Sequence, residues 1–289
     1  MTSSWMLVAG FLFATMGVFV KLGSEHFDPA ELALYRSMFS FLSMLAVLAM
    51  RGGTFRTRYA AGHVMRGVIG TTSLIAYFYA ITHLPLATAQ TLNYTSPIFL
   101  AIATTVVLRE PFSSWLLVAI ALGFAGVAIL LQPNFQEGKE GPAMLGLFSG
   151  VLSAWAYLSV RTLGRLGEPD LRVVCWFGLV ASVICAGWQL GTSTFHPVRW
   201  DNAWMLAGVA VCGTLAQLAM TRAYRTGHTI VVGALSYSTI VFATGATLLL
   251  WHERLQPLEW LGMAVIILSG IIAMRVEKKE QVEEAGFES

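Results

Sequence analysis

Residues 114–131 read SWLLVAIALGFAGVAILL, eighteen consecutive residues without a charge. At about 1.5 Å of rise per residue, a helix of that length crosses most of the roughly 30 Å hydrocarbon core of a bilayer. Nine further predominantly apolar runs lie at 4–21, 30–50, 64–82, 86–108, 143–160, 171–190, 202–221, 229–250 and 258–274. Together they take up most of the 289 residues, of which 56% are apolar and only 12% charged. Soluble domains carry about 25% charged residues, and the mean hydropathy here is +0.67. No stretch remains for a separate hydrophilic domain, which excludes a soluble enzyme held by one anchor. The runs are too long and too uniformly apolar for barrel strands. The fold class that follows is an all-α polytopic membrane protein with ten transmembrane helices.

The leader Met1-Thr2-Ser3-Ser4 has no Lys or Arg, and no small-residue cleavage site follows it. The first run therefore reads as helix 1 and not as a signal peptide. Net charge is +2 without a long basic run, so no nucleic-acid partner is expected. Cys175, Cys185 and Cys212 lie inside apolar runs without CxxC spacing, and read as small buried hydrophobes. No metal site and no cofactor are expected. Of the 18 basic residues, thirteen fall on the side of the amino terminus, among them Arg51, Arg66, Arg109, Arg161 and Arg275. Four (Lys21, Lys139, Arg199, Arg254) fall on the other side, and Arg36 lies within helix 2. That bias puts both termini in the cytoplasm. The segment 276–289 mixes both signs and reads as a flexible cytoplasmic tail.

The chain also resembles itself at an offset of 140 to 144 residues. Asp28-Pro29 matches Glu168-Pro169, Gly70 matches Gly213, Ala80 matches Ala223, Tyr94 matches Tyr237, Glu110 matches Glu253, and Gly126 matches Gly270. Five crossings per unit is an odd number, so the second unit is inverted relative to the first. The expected division is a first five-helix repeat over 1–132, an external linker over 133–142, and an inverted repeat over 143–275. Inverted repeats are a common way to build a carrier.

Leu108-Arg109-Glu110-Pro111, followed by Gly123 and Gly126, and Trp251-His252-Glu253-Arg254-Leu255, followed by Gly262 and Gly270, resemble the two repeats of EamA type. Pro29 to Arg36 resembles the opening of that family's second helix. The resemblance, to the drug/metabolite transporter superfamily, covers nearly the whole chain. It implies ten helices in two inverted bundles and export of amino acids or other small metabolites.

Helix 4 holds the richest polar stretch inside a crossing. Gln90, Asn93, Tyr94 and Pro97 stand at i, i+3, i+4 and i+7 and share one face. Such groups do not face lipid without cost, so they line a cavity or act as hydrogen-bond glue between helices. Pro97 frees a backbone carbonyl one turn earlier. Ser236 and Tyr237 stand on the matching face of helix 9. Tyr77, Tyr79, Trp155, Tyr157 and Trp176 are aromatic candidates for a cavity wall or for core packing. Trp5, Trp115, Trp200, Trp204, Trp251 and Trp260 suit the membrane interface. Arg36 either snorkels or receives a substrate carboxylate. No Asp or Glu falls in the middle of a crossing, and the histidines stand near helix ends, so a proton-carrying multidrug antiporter and an intramembrane enzyme both lack their expected residues. The function expected is secondary export of small metabolites, amino acids first, across the inner (plasma) membrane by alternating access. The partners are a small-molecule substrate and the bilayer, and a monomer suffices. Drug efflux or transport of an S-adenosylmethionine-type metabolite is the alternative.

Overall fold

The computed structural model describes residues 2–84, 86–108, 114–132, 138–192, 195–251 and 256–287. Among them are twelve helical segments: α1 (Trp5–Gly23), α2 (Pro29–Met50), α3 (Ala60–His83), α4 (Leu86–Asn93), α5 (Ser96–Leu108), α6 (Ser114–Leu131), α7 (Glu140–Arg165), α8 (Asp170–Thr192), α9 (Trp200–Thr226), α10 (Thr229–Ser236), α11 (Ser238–Trp251) and α12 (Pro257–Phe287). Eight spans among the described residues are long and apolar enough to cross a membrane. The Arg109–Pro111 and His252–Leu255 corners of the sequence motifs lie outside the described residues.

Two of the ten expected runs are broken. Run 86–108 divides into α4 and α5 at Tyr94-Thr95, and run 229–250 divides into α10 and α11 at Tyr237. Pro97 accounts for the first break, since it can supply no backbone donor. Thr95 relieves the local carbonyls by donating from both its N–H and its hydroxyl to the Leu92 carbonyl. The breaks fall at the two tyrosines that the repeat aligns. A second difference is that α12 continues through Phe287, where the sequence suggests a flexible tail. Glu, Lys, Gln and Ala are good helix formers, and they prolong a helix that apolar burial has already nucleated.

The helices pair antiparallel: α1 with α9, α2 with α8, α3 with α7, and α6 with α12. Lipid offers no hydrophobic drive for helix association, so close approach across small residues must supply it. A Cβ on Gly262 would stand 2.6 Å from the Leu130 nitrogen, and one on Gly178 would stand 2.7 Å from the Phe41 nitrogen. In the α6–α12 seam Ser269 donates to the Ala119 carbonyl at 2.7 Å. Gly146 and Gly150 bring α7 against α4 in the same way.

A buried carboxylate fastens each end of the α2–α8 pair. At one end, helix α7 closes with Gly167 at φ +82° and the Glu168 N–H bonding back to the Leu163 carbonyl, which aims Glu168 inward. Its carboxylate accepts from the Thr57 hydroxyl (2.6 Å), His63 Nε2 (3.0 Å) and Arg172 (3.0 Å). Trp176 donates to the Phe55 carbonyl and stacks on the Phe55 ring at 4.5 Å, so it braces this loop. Burial alone would raise the Glu168 carboxyl, but Thr57, His63 and Arg172 outweigh it and hold it below the ordinary carboxylate value. At the other end Glu31, fully buried, accepts from the His196 backbone N–H (2.9 Å) and ring Nδ1 (2.8 Å). The hydrogen bond to Glu31 raises the His196 imidazole above its ordinary value.

Gly262→Ala is expected to destabilise the fold by about 1–3 kcal/mol through overpacking, while Gly245→Ala, where nothing lies within 4 Å, leaves it unchanged. Thermal melts in detergent check both. The His196–Glu31 ion pair is worth most below the ordinary histidine value of about 6.5, and is lost as pH rises through the raised value. Amide exchange at His196 is therefore expected to be slow at pH 6, and at alkaline pH to exceed the base-catalysed increase seen at unprotected amides.

Candidate functional site

A cavity of about 260 Å³ lies between the two halves of the chain, with walls from α1, α2, α3, α7, α8, α9 and the α4–α5 and α10–α11 breaks. Of the residues singled out in the sequence, Arg36, Tyr77, Asn93, Tyr94 and Ser236 line it, and Tyr157 joins them. Gln90 stands behind Tyr77 and hydrogen-bonds its hydroxyl. The Tyr94 hydroxyl faces Thr239. Asn93 donates to the Ser149 hydroxyl at 2.9 Å, so it serves as interhelical glue as well as lining.

Three expectations need correction. Tyr237 does not face the cavity: it is completely buried against Gly123 and Ser269, and its ring meets Tyr94 at 6.3 Å. It supports the Tyr94 ring from behind. Trp155 is 42% exposed on the outer face of α7, one position from the lining residue Ala156 and so about 100° around the helix. Tyr79 is 44% exposed and stacks on His83 at 4.1 Å, away from the cavity. The Leu92 and Asn93 oxygens meet Gly150 of α7, whose missing side chain admits them.

The sequence reading missed Arg66. It was counted with the basic residues of the cytoplasmic edge, but α3 begins at Ala60 and carries it inward. Its side chain is 3% exposed, its guanidinium lies 4.4 Å over the Phe177 ring, and its Nε and one terminal nitrogen have no hydrogen-bond partner. Gly70, one turn later on the same helix, leaves the space it occupies. Arg36 does not snorkel. It turns toward α9, where Gly213 makes room for it and Gln217 accepts one hydrogen bond at 3.4 Å. The repeat-matched glycines Gly70 and Gly213 thus each accommodate a guanidinium. The match of Gly70 with Gly213 was the signal available in the sequence.

Residues 1–132 and 141–275 each match the EamA-like transporter family. The chain belongs to that family. It is similar to the pseudopaline exporter of Pseudomonas aeruginosa (strain UCBPP-PA14), at 29% identity over 94% of this chain and 95% of the exporter. It is similar also to an uncharacterized transporter of Helicobacter pylori (strain ATCC 700392 / 26695), at 26% identity over 93% of each chain. A riboflavin transporter of Rhizobium johnstonii is 26% identical over 97% of this chain and 93% of its own length. One solved crystal structure shares the fold, with a TM-score of 0.83 at 17% identity over 96% of this chain and 98% of that one. The EamA-like chain is accordingly a multi-pass membrane protein that transports small molecules and is not an enzyme.

Asn93→Ala is expected to cost about 0.6–1 kcal/mol of stability, the value of an interhelical hydrogen bond in a membrane. Tyr94→Phe, which keeps the ring packed on Tyr237, is expected to melt within about 0.5 kcal/mol of the wild type, as a polar group facing a wet cavity contributes little to folding. Detergent melts of the two variants separate these roles.

Proposed function

We propose that this transporter exports small metabolites, amino acids above all, across the inner membrane by alternating access between two inverted five-helix repeats, with both termini cytoplasmic. The observation that carries the reading is the cavity, because both halves of the chain contribute to it and its polar groups fit an amino acid. A guanidinium at Arg36 matches the α-carboxylate in a bidentate fork. The Tyr77, Tyr94 and Tyr157 rings suit an ammonium group and an apolar stem. Its volume of about 260 Å³ suits metabolites of amino-acid size. Pockets for drug-sized ligands run from about 300 to 1,000 Å³. The first repeat, 1–132, and the second, 143–275, joined by the linker 133–142, would exchange conformations to open each side in turn.

Purified protein in liposomes, offered a panel of labelled amino acids with and without a proton gradient, tests this. Movement of none of them refutes it. A hydrogen bond to a charged group is worth about 1.5–3 kcal/mol, so Arg36→Gln is expected to raise KM about tenfold or more. Trp155→Ala and Tyr79→Ala, which alter the outer surface, are expected to leave KM within about twofold, a range worth roughly 0.4 kcal/mol.

A further inference from the structure

We infer that the cavity is a two-anion site, selective for a metabolite that carries two carboxylates, one for Arg36 and one for Arg66. The inference deepens the export reading and rests on it. Arg36 stands on the α2 wall against α9, and Arg66 on the α3 wall against α8. Both line the one cavity, their charges repel across it, and its lining includes no Asp or Glu. Each guanidinium has five N–H donors. Arg36 gives one to Gln217, and Arg66 leaves Nε and a terminal nitrogen unpartnered although it is 97% buried. A buried charge without a counter-charge is costly, and removing a buried ion's partner is more so. A single carboxylate on Arg36 would leave Arg66 uncompensated on the other wall. A second carboxylate satisfies it in the planar fork geometry that a guanidinium offers. The Phe177 ring lies 4.4 Å from the Arg66 guanidinium carbon, and Gly70 makes room for one terminal nitrogen.

A second anion can be a carboxylate or a phosphate monoester, since both fit a guanidinium fork; the commitment here is to the carboxylate. The test is equilibrium binding of labelled glutamate to the full chain in detergent, competed by paired probes that differ in one group. These are aspartate against asparagine, glutamate against glutamine, 2-aminoadipate against its side-chain amide, and phosphoserine against serine. At least one dicarboxylate is expected to outcompete its own amide by tenfold or more. In Arg66→Gln that ratio is expected to fall toward one, and in Arg66→Lys, which keeps the charge but loses the fork, it falls to an intermediate value. If Arg66→Gln does not fold, the wild-type ratios alone decide. Equal binding of every acid and its amide overturns the inference, and if neutral amino acids still move in liposomes the export reading stands. A preference for phosphoserine without one for any dicarboxylate overturns the carboxylate assignment. Absence of both binding and transport across the whole panel overturns the inference and the export reading together.

Discussion

Close antiparallel contact between helices is the constraint on which the rest of this structure depends. In hydrocarbon an apolar side chain gains nothing by touching another helix in place of lipid, so association rests on van der Waals contact and interhelical hydrogen bonds. Glycine is what lets those contacts form. Gly126 and Gly262 bring α6 and α12 to backbone contact, Gly178 does the same for α8 on α2, and Gly150 admits the Leu92 and Asn93 carbonyls beside α7. Pairing by tight seams leaves volume elsewhere, and that volume is the central cavity.

The same small residues decide where charge can be kept. A lone arginine costs about 2.5–3.5 kcal/mol at the centre of a membrane helix on insertion scales. Arg36 and Arg66 are nonetheless turned inward, because Gly213 and Gly70 remove the side chains that would otherwise fill their places. Neither is neutralised by a carboxylate in the cavity lining. Among the described residues the buried carboxylates stand at the ends of the α2–α8 pair, where Glu31 and Glu168 hold loops to helices with three hydrogen bonds each, counting the longer Tyr35–Glu31 contact. Carboxylates thus stand at the ends of this helix pair and the two guanidinium groups at the cavity.

The tyrosines link the scaffold to the cavity. Tyr94 and Tyr237 each stand where a long apolar run breaks, and their rings meet. One borders the cavity and the other is sealed into the α6–α12 seam against Gly123 and Ser269. Movement of that seam would therefore reach the cavity wall through two rings in contact. Tyr157, stacked on the buried Tyr224 at 4.9 Å, makes a comparable link from the cavity to α9.

Composition and hydrophobic run length alone determined that the chain crosses a membrane many times as helices, since no other element satisfies its backbone in lipid. The repeat in the sequence also aligns Gly70 with Gly213 and Tyr94 with Tyr237. It could not say what each position does, because a period along one helix gives a face but not what that face meets. Trp155 and Tyr79 have the chemistry of a cavity wall and turn outward, whereas Arg66 has the look of an interfacial cation and turns inward. The two broken helices, the burial of Tyr237 and the pairing of Glu168 with His63 across 105 residues were likewise decided only in three dimensions. Direction around a helix axis is set by which neighbour packs closest, and that choice is made by the whole bundle at once.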